Sequence, residues 1–208
     1  MEPKKGTTTV GIICKDAIVL AADNRATAGT LVANKKVQKV VQVGDYMAMT
    51  TAGLVSDIQL FTKIIRSQIM LLKLRKGKNP GVKEAANMLA NLAYSNIRRP
   101  SMIPGFVGFL FAGHDKTGLH LYELEFDGTA LEADDYVTDG SGSTVVLGVL
   151  ETLYKPNMTL QQGLELAEKC IQTAILRDSA TGNGMHVAVI TKDGVEFKTR
   201  KKADYKLK

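Results

Sequence analysis

Apolar and polar positions follow two rhythms along this chain, short β-type runs and longer stretches with helical spacing. Thr7–Cys14 and Ala17–Ala22 are rich in β-branched residues and are split by Lys15 and Asp16, which predicts an N-terminal hairpin. Val40–Val43 and Tyr46–Thr51 predict two more strands around Gly44 and Asp45. The spacing of Phe61, Ile64, Ile65, Ile69 and Leu72 then predicts a long helix with Ser56 or Asp57 as its N-cap. Lys73, Arg75 and Lys76 complement the negative end of its dipole, and Gly77 ends it.

After a loop at Asn79, Pro80 and Gly81, Val82, Ala85, Ala86, Leu89, Leu92, Ala93 and Ile97 share one face of a second helix. It runs from about Val82 to Arg98 and stops before Pro100. Strands Phe106–Ala112 and Leu119–Phe126 follow, joined at Asp115–Gly118, and Asp127 with Gly128 turns the chain again. A turn over Asp139, Gly140, Ser141, Gly142 and Ser143 leads into a third helix ending near Tyr154. Thr159 with Gln162 has the capping-box pattern for a fourth helix reaching Arg177. Met185–Thr191 and Val195–Thr199 close the pattern as a hairpin about Lys192, Asp193 and Gly194. Grouped strands alternating with paired helices indicate an α+β fold with mostly antiparallel sheet. Two helix pairs and enough strands for two sheets predict a layered sandwich with the helices outside.

Composition narrows the class. A chain of 208 residues with 45% hydrophobic and 23% charged residues is that of one globular domain. Cys14 and Cys170 stand far apart with no zinc or CxxC spacing, the pattern of free buried thiols in a reducing compartment. The polar segment Met1–Gly6 is not a signal peptide, and Phe106–Ala112 and Val145–Leu150 are too short to span a bilayer. A soluble cytoplasmic protein without membrane contact is expected. The net charge of +6 sits mostly in the tail: from Lys198 to Lys208 six basic residues face Asp204 alone, which gives +5. No aromatic residues are interleaved with these charges, so the pattern is a solvated or docking tail rather than a nucleic-acid surface.

Conventional catalytic sets are missing. His114, His120 and His186 have no ligand spacing, there is no GxSxG elbow, and the glycine-rich stretch at Gly140–Thr144 lacks the lysine of a phosphate loop. The segment Gly6, Thr7, Thr8, Thr9, Val10, Gly11 can be read as a β-branched edge strand behind a flexible tip. It can also be read as a nucleophile held behind a glycine. A threonine with a free α-amine carries nucleophile and base in one residue, because an α-amine titrates near about 7.7–8.0 and can take the hydroxyl proton at neutral pH. Such a site needs a cation to hold the alkoxide and an acid to orient that cation, and Lys39, Asp23 and Arg25 could supply them.

At six places the chain resembles the β subunits of the proteasome, of the archaeal kind with a short propeptide, among the N-terminal-nucleophile hydrolases. They are Gly6–Gly11, Ala22–Arg25, Lys39, Thr51–Gly53, Gly140–Ser143 and Arg177–Gly182, in order and at matching separations across most of the chain. The resemblance implies a four-layer αββα sandwich, with residues 1–6 a propeptide and 7–208 one catalytic domain. It implies Thr7 as nucleophile and, after cleavage at Gly6–Thr7, as base; Lys39 beside Oγ; Asp23 orienting Lys39; and the Gly53 N–H for the oxyanion. Ser141 and Asp178 would hold the amine and its water, Thr181 would assist where the family usually has serine, and Arg25 would be structural. Ala26, Val37, Thr51 and Val55 would line an uncharged substrate pocket suited to medium apolar side chains.

No metal or cofactor is implied. The partners implied are other β subunits in a heptameric ring, an α-subunit ring, an ATPase regulator and unfolded protein substrates. A non-catalytic ring subunit would lack the glycine, threonine or lysine found here at Gly6, Thr7 and Lys39, and a bacterial two-component relative would lack the full Asp178–Gly182 segment and the tail. For an uncut chain in attack-ready geometry, Thr7 Oγ is expected about 3–3.5 Å from the Gly6 carbonyl carbon, with Lys39 Nζ within hydrogen-bond reach of Oγ or one water away, Asp23 on Lys39, and Ser141 and Asp178 near the Thr7 nitrogen. Glycine suits such a cut because it can adopt a kinked backbone.

Overall fold

The computed structural model describes residues 6–102 and 105–200. Residues 1–5, to which most of the expected propeptide belongs, and the tail beyond Arg200 lie outside the described residues. The elements are, in chain order, β1 (Thr8–Ile13), β2 (Ile18–Asp23), β3 (Ala26–Ala28), β4 (Leu31–Asn34), β5 (Val40–Gly44), β6 (Met47–Thr50), β7 (Ala52–Gly53), α1 (Val55–Lys76) and α2 (Val82–Ile97). Then come β8 (Val107–Asp115), β9 (Gly118–Leu124), β10 (Ala130–Ala133), β11 (Tyr136–Gly140), α3 (Ser143–Leu153), α4 (Leu160–Arg177), β12 (Met185–Thr191) and β13 (Gly194–Arg200).

Two antiparallel sheets form the middle of the molecule. One has the order β11-β1-β2-β12-β13; the other has the order β10-β9-β8-β6-β5, with β7 on β8. Strand β2 explains why the sheets stack. Its alternate residues Ile18, Leu20 and Ala22 meet Ala48, Leu110 and Leu121 of the facing sheet, while Val19 and Ala21 meet α3 and α4. Both faces are buried, so the strand reads as an unbroken apolar run. Helices α1 and α2 cover the other sheet through Phe61, Ile65, Ile69 and Leu89, against Met49, Phe109 and Phe111. The architecture is therefore the expected four-layer αββα sandwich.

Several local expectations change. Helix α1 starts at Val55 after Leu54, with no side-chain cap, instead of at Ser56 or Asp57. Asp57 lies inside the first turn, where its charge favours the helix dipole, and its carboxylate sits against Gly105. Asp139 and Gly140 end a strand rather than make a turn: β11 pairs with β1 in the register Thr8↔Gly140 and Thr9↔Asp139. Gly140 can end there because it has a φ of 107°, and any Cβ would stand 2.0 Å from the Thr7 carbonyl oxygen. The capping box of α4 forms as expected, with the Thr159 side chain on the Gln162 N–H and the Gln162 side chain returning to the Thr159 N–H. Cys14 and Cys170 are both buried between α4 and the first sheet, and burial pushes their thiols up to about 11 and about 12. They stay protonated and unreactive at neutral pH.

Close approach of α4 to β1 depends on Gly163, where a Cβ would stand 2.3 Å from Cys14 Sγ. Alanine is the better helix former by roughly 1 kcal/mol, but overpacking a core costs about 1–3 kcal/mol, so the clash dominates. Gly163→Ala is expected to destabilise the chain by about 1–2 kcal/mol. In a Cys14→Ala background the same change should be neutral or stabilise by up to about 1 kcal/mol, because the sulfur is gone. Equilibrium urea unfolding of the four variants measures this reversal of sign.

Candidate active site

Six segments converge at one end of the sandwich. Thr7 immediately precedes β1, Asp23 ends β2, Ser141 follows β11, Lys39 precedes β5, Gly53 ends β7, and Asp178 caps the C-terminus of α4. Pairing in the first sheet sets the lateral order. Thr9 lies opposite Ala22 on one side and Asp139 on the other, and Asp23 lies opposite Met185.

The Asp23 carboxylate is the hub, and it is completely buried. Its Oδ1 accepts from Lys39 Nζ at 2.7 Å and from the Thr8 N–H at 3.1 Å. Its Oδ2 accepts from the Arg25 N–H at 2.9 Å and the Gly182 N–H at 3.0 Å. Four donors satisfy the anion where water cannot reach it. Lys39, only 4% exposed, makes its second hydrogen bond to the Gly6 carbonyl oxygen at 3.2 Å. Thr7 Oγ1 donates to that same oxygen at 2.7 Å. The lysine and the threonine hydroxyl thus converge on the carbonyl oxygen of the bond between residues 6 and 7. Burial pulls the Lys39 ammonium below the ordinary lysine range; Asp23 opposes this, Asp178 adds to the opposition, and Arg25 reinforces the fall.

A second hydrogen-bond chain runs along the nitrogen side. The Thr7 N–H donates to Ser141 Oγ at 3.3 Å, and Ser141 Oγ donates to Asp178 Oδ2 at 2.5 Å. Asp178 therefore reaches the Thr7 nitrogen through Ser141 rather than directly. The Thr181 hydroxyl donates to the same Oδ2 at 2.5 Å and lies 2.6 Å from Thr8 Oγ1. Thr181 is completely buried, so its methyl group is packed and its hydroxyl is held between two partners. An aspartate at a helix C-terminus opposes the dipole. Here the Ala180 N–H joins the two hydroxyls in holding it. Arg25 fastens the segment after α4, with Nε donating to Asn183 Oδ1 at 2.9 Å and a guanidinium N–H donating to the Ser179 carbonyl at 2.8 Å. The guanidinium lies flat against Gly182, where a Cβ would come within 2.3 Å of it.

Beside the Gly6–Thr7 bond is a cleft of about 120 Å³, whose walls include all four expected pocket residues, Ala26, Val37, Thr51 and Val55. Gly53 also lines it, with a φ of 132° and Phe106 O only 2.2 Å from where a Cβ would be, so only glycine fits. Thr51 offers the cleft no free donor: its N–H and its hydroxyl both donate to the Lys39 carbonyl, at 2.9 and 3.3 Å. The wall is completed by Thr27, Gln38, Leu54, Ile58 and Phe106, none of which the sequence reading selected. Thr8 was missed as well, although the alternation of Thr7, Thr8 and Thr9 is a signal that it faces the opposite way from its neighbours.

Among the described residues, no group of three or more His, Cys, Asp or Glu side chains could hold a metal ion, and no helix is long and apolar enough to cross a membrane. The geometry can serve acyl chemistry at a threonine hydroxyl, with a buried lysine on the adjacent Gly6 carbonyl.

The model of the family described as "Proteasome subunit" matches residues 3–190. The chain is 45% identical over 190 residues to a proteasome subunit beta of Archaeoglobus profundus, an alignment covering 91% of this chain and 86% of the relative. It is 41% identical over 198 residues to a proteasome subunit beta of Methanocaldococcus vulcanius, covering 95% and 87%. Against a proteasome subunit beta 2 of Ignicoccus hospitalis it is 43% identical over 194 residues, covering 93% and 89%. Joined to a four-layer sandwich and a threonine at the head of its first strand, these matches show that the chain belongs to the proteasome subunit family, as an archaeal-type β subunit and threonine endopeptidase.

Proposed function

We propose that Thr7 is the nucleophile of this endopeptidase and that it is freed by cleavage of its own bond to Gly6. The observation that carries the reading is the meeting of Thr7 Oγ1 and Lys39 Nζ on the Gly6 carbonyl oxygen. In the uncut chain the Thr7 nitrogen is an amide and cannot serve as a base. Thr7 Oγ attacks the Gly6 carbonyl carbon while its proton passes to the neutral Lys39 amine, directly or through one water, and the ammonium so formed stabilises the negative charge that develops on the oxygen before returning a proton to the leaving nitrogen. The C–N bond then breaks, the nitrogen takes up a proton, and the acyl group rests on Oγ as an ester. Water opens the ester, leaving a Gly6 carboxylate on the released leader and a free amine and hydroxyl on Thr7.

In the cut enzyme the new amine takes the Oγ proton when a substrate carbonyl is attacked. Asp23 orients Lys39, the Gly53 N–H receives the oxyanion, Ser141 and Asp178 hold the amine and its water, and Thr181 steadies Asp178. Arg25 acts structurally by holding the 178–183 segment. Residues 1–6 are the propeptide and residues 7–208 the catalytic domain. Family membership implies a proteasome ring. Its proposed form is a heptamer of β subunits stacked on an α-subunit ring in the cytoplasm, with an ATPase regulator delivering unfolded proteins.

Thr7→Ala is expected to abolish both peptide hydrolysis and loss of residues 1–6, because one hydroxyl performs both attacks. Lys39→Ala should slow both by roughly 10²–10⁴-fold, and Lys39→Arg should fail similarly, since a guanidinium is larger and stays protonated. Intact-mass measurement after co-expression with an α subunit, together with peptide hydrolysis, checks all three variants; turnover by the Thr7→Ala particle overturns the mechanism.

Leader removal should also accelerate with rising pH. Burial lowers the Lys39 value from the ordinary 10.5 against the opposing pull of Asp23, so the neutral amine becomes available at lower pH than in a free lysine. A leader-removal rate that does not rise with pH would count against proton transfer to Lys39.

For the cut enzyme, the uncharged cleft walls at Ala26, Val37, Thr51 and Val55 predict hydrolysis mainly after medium apolar residues. Fluorogenic peptides ending in Leu, Tyr, Glu and Arg measure this, and faster cleavage after Glu would refute it.

A further inference from the structure

The residue before the scissile bond is enclosed on two sides. A Cβ built on Gly6 would lie 2.2 Å from Thr27 Oγ1, 3.5 Å from Thr27 Cβ and 3.4 Å from Ala180 Cβ. The last two distances are ordinary van der Waals contacts. The first is not, and it involves a single atom. Thr27 lies in β3 at a register irregularity between Ala26 and Thr27, which places its half-buried side chain in the cleft wall beside Gly6 and Thr7.

We infer that the Thr27 side chain is the gauge that restricts the residue before the cut to glycine. The inference rests on the proposed self-cleavage and adds a specificity-determining residue to it. Chemistry at the carbonyl does not itself require glycine. What excludes a methyl group here is the γ-branch of Thr27. A threonine in a strand is stiff at χ1, and two of its three staggered positions put a heavy atom, Oγ1 or Cγ2, in that place. An alanine at position 6 therefore has to push the carbonyl away from Thr7 Oγ1 and Lys39 Nζ. Relieving a 2.2 Å contact takes a displacement of about 1 Å, enough to slow an attack that depends on near-contact alignment.

The space opens when the branch is removed. With alanine at position 27, the nearest atoms to a Cβ on residue 6 are the two at 3.4 and 3.5 Å, so the methyl group fits. Serine at position 27 can rotate its single γ-atom away and should rescue partly. Valine keeps the threonine shape without the hydroxyl and should not rescue at all, which separates volume from hydrogen bonding.

The test follows loss of residues 1–6 by intact mass in the full chain co-expressed with an α subunit. Gly6→Ala alone is expected to slow processing by roughly 10²-fold, as misalignment of this size does. Adding Thr27→Ala should restore most of the lost rate, and adding Thr27→Val should restore none. Normal processing of the Gly6→Ala chain, or a Gly6→Ala/Thr27→Ala chain no faster than Gly6→Ala, overturns the gauge. A parent chain that keeps residues 1–6 instead removes the self-cleavage reading, and the melting temperatures of the same variants then decide the steric point. Gly6→Ala should lower the melting temperature by about 2–4 °C with threonine at position 27 and not with alanine there; equal shifts in both backgrounds overturn it.

Discussion

A carboxylate with no access to water must be surrounded by donors, and this constraint on Asp23 organises the catalytic end of the molecule. Its four partners come from four separate stretches of chain: the start of β1, the residue before β5, the turn after β2 and the segment after α4. Removing one partner from a buried ion pair typically costs about 3–5 kcal/mol, because the remaining charge is left without compensation. Three backbone N–H groups share the load with Lys39, so the carboxylate does not depend on the lysine ammonium alone. Thr7 is placed by this arrangement one residue upstream, through Thr8 and the register of the first sheet, without a dedicated contact of its own to Asp23.

Two hydrogen-bond chains then divide the work around Thr7. On the carbonyl side, Asp23 and Lys39 act on the oxygen of the residue before it. On the nitrogen side, Ser141, Asp178, Thr181 and Thr8 form a continuous run of hydroxyl and carboxylate groups. Threonine at 181 suits the second chain. A β-branched hydroxyl has fewer rotamers to choose from, and complete burial of the methyl fixes the one that bonds to both Asp178 and Thr8. Arg25 keeps the two chains in step, since it reaches from the turn beside Asp23 to the loop that follows Asp178.

Legibility in the sequence followed the strength of the local signal. Strands buried on one or both faces, such as β1, β2 and β8, and the four helices were readable because apolar spacing reports burial directly. β3, β4 and β10 were not, because their residues are mostly exposed or half-buried and carry no alternation. β11 was hidden by Asp139 and Gly140, whose identities signal a turn although the pairing with β1 extends through them. The start of α1 was misplaced because two good capping residues lie just inside a helix that begins without a side-chain cap. Within the site, Thr7, Asp23, Lys39, Gly53 and Asp178 were identified by resemblance to a family pattern, since each taken singly is an ordinary strand, turn or surface residue. Thr27 and Phe106 were invisible. Their importance comes from the space they fill beside Gly6 and Gly53, which no spacing along the chain encodes.

On the proposed mechanism, the first acyl group that Thr7 attacks, the Gly6 carbonyl beside the cleft, is part of the enzyme itself. An occupant attached by a peptide bond is present at an effective concentration that no dissolved competitor can match. On that mechanism, while the bond stands Thr7 has no free amine with which to attack the other polypeptides in its surroundings, whatever their abundance or affinity. Its latency needs no separate inhibitor and has no dissociation constant that dilution could exploit. Opening the bond is a one-way event counted once per molecule, and so it separates the period of folding from the period of proteolysis more sharply than any reversible ligand could.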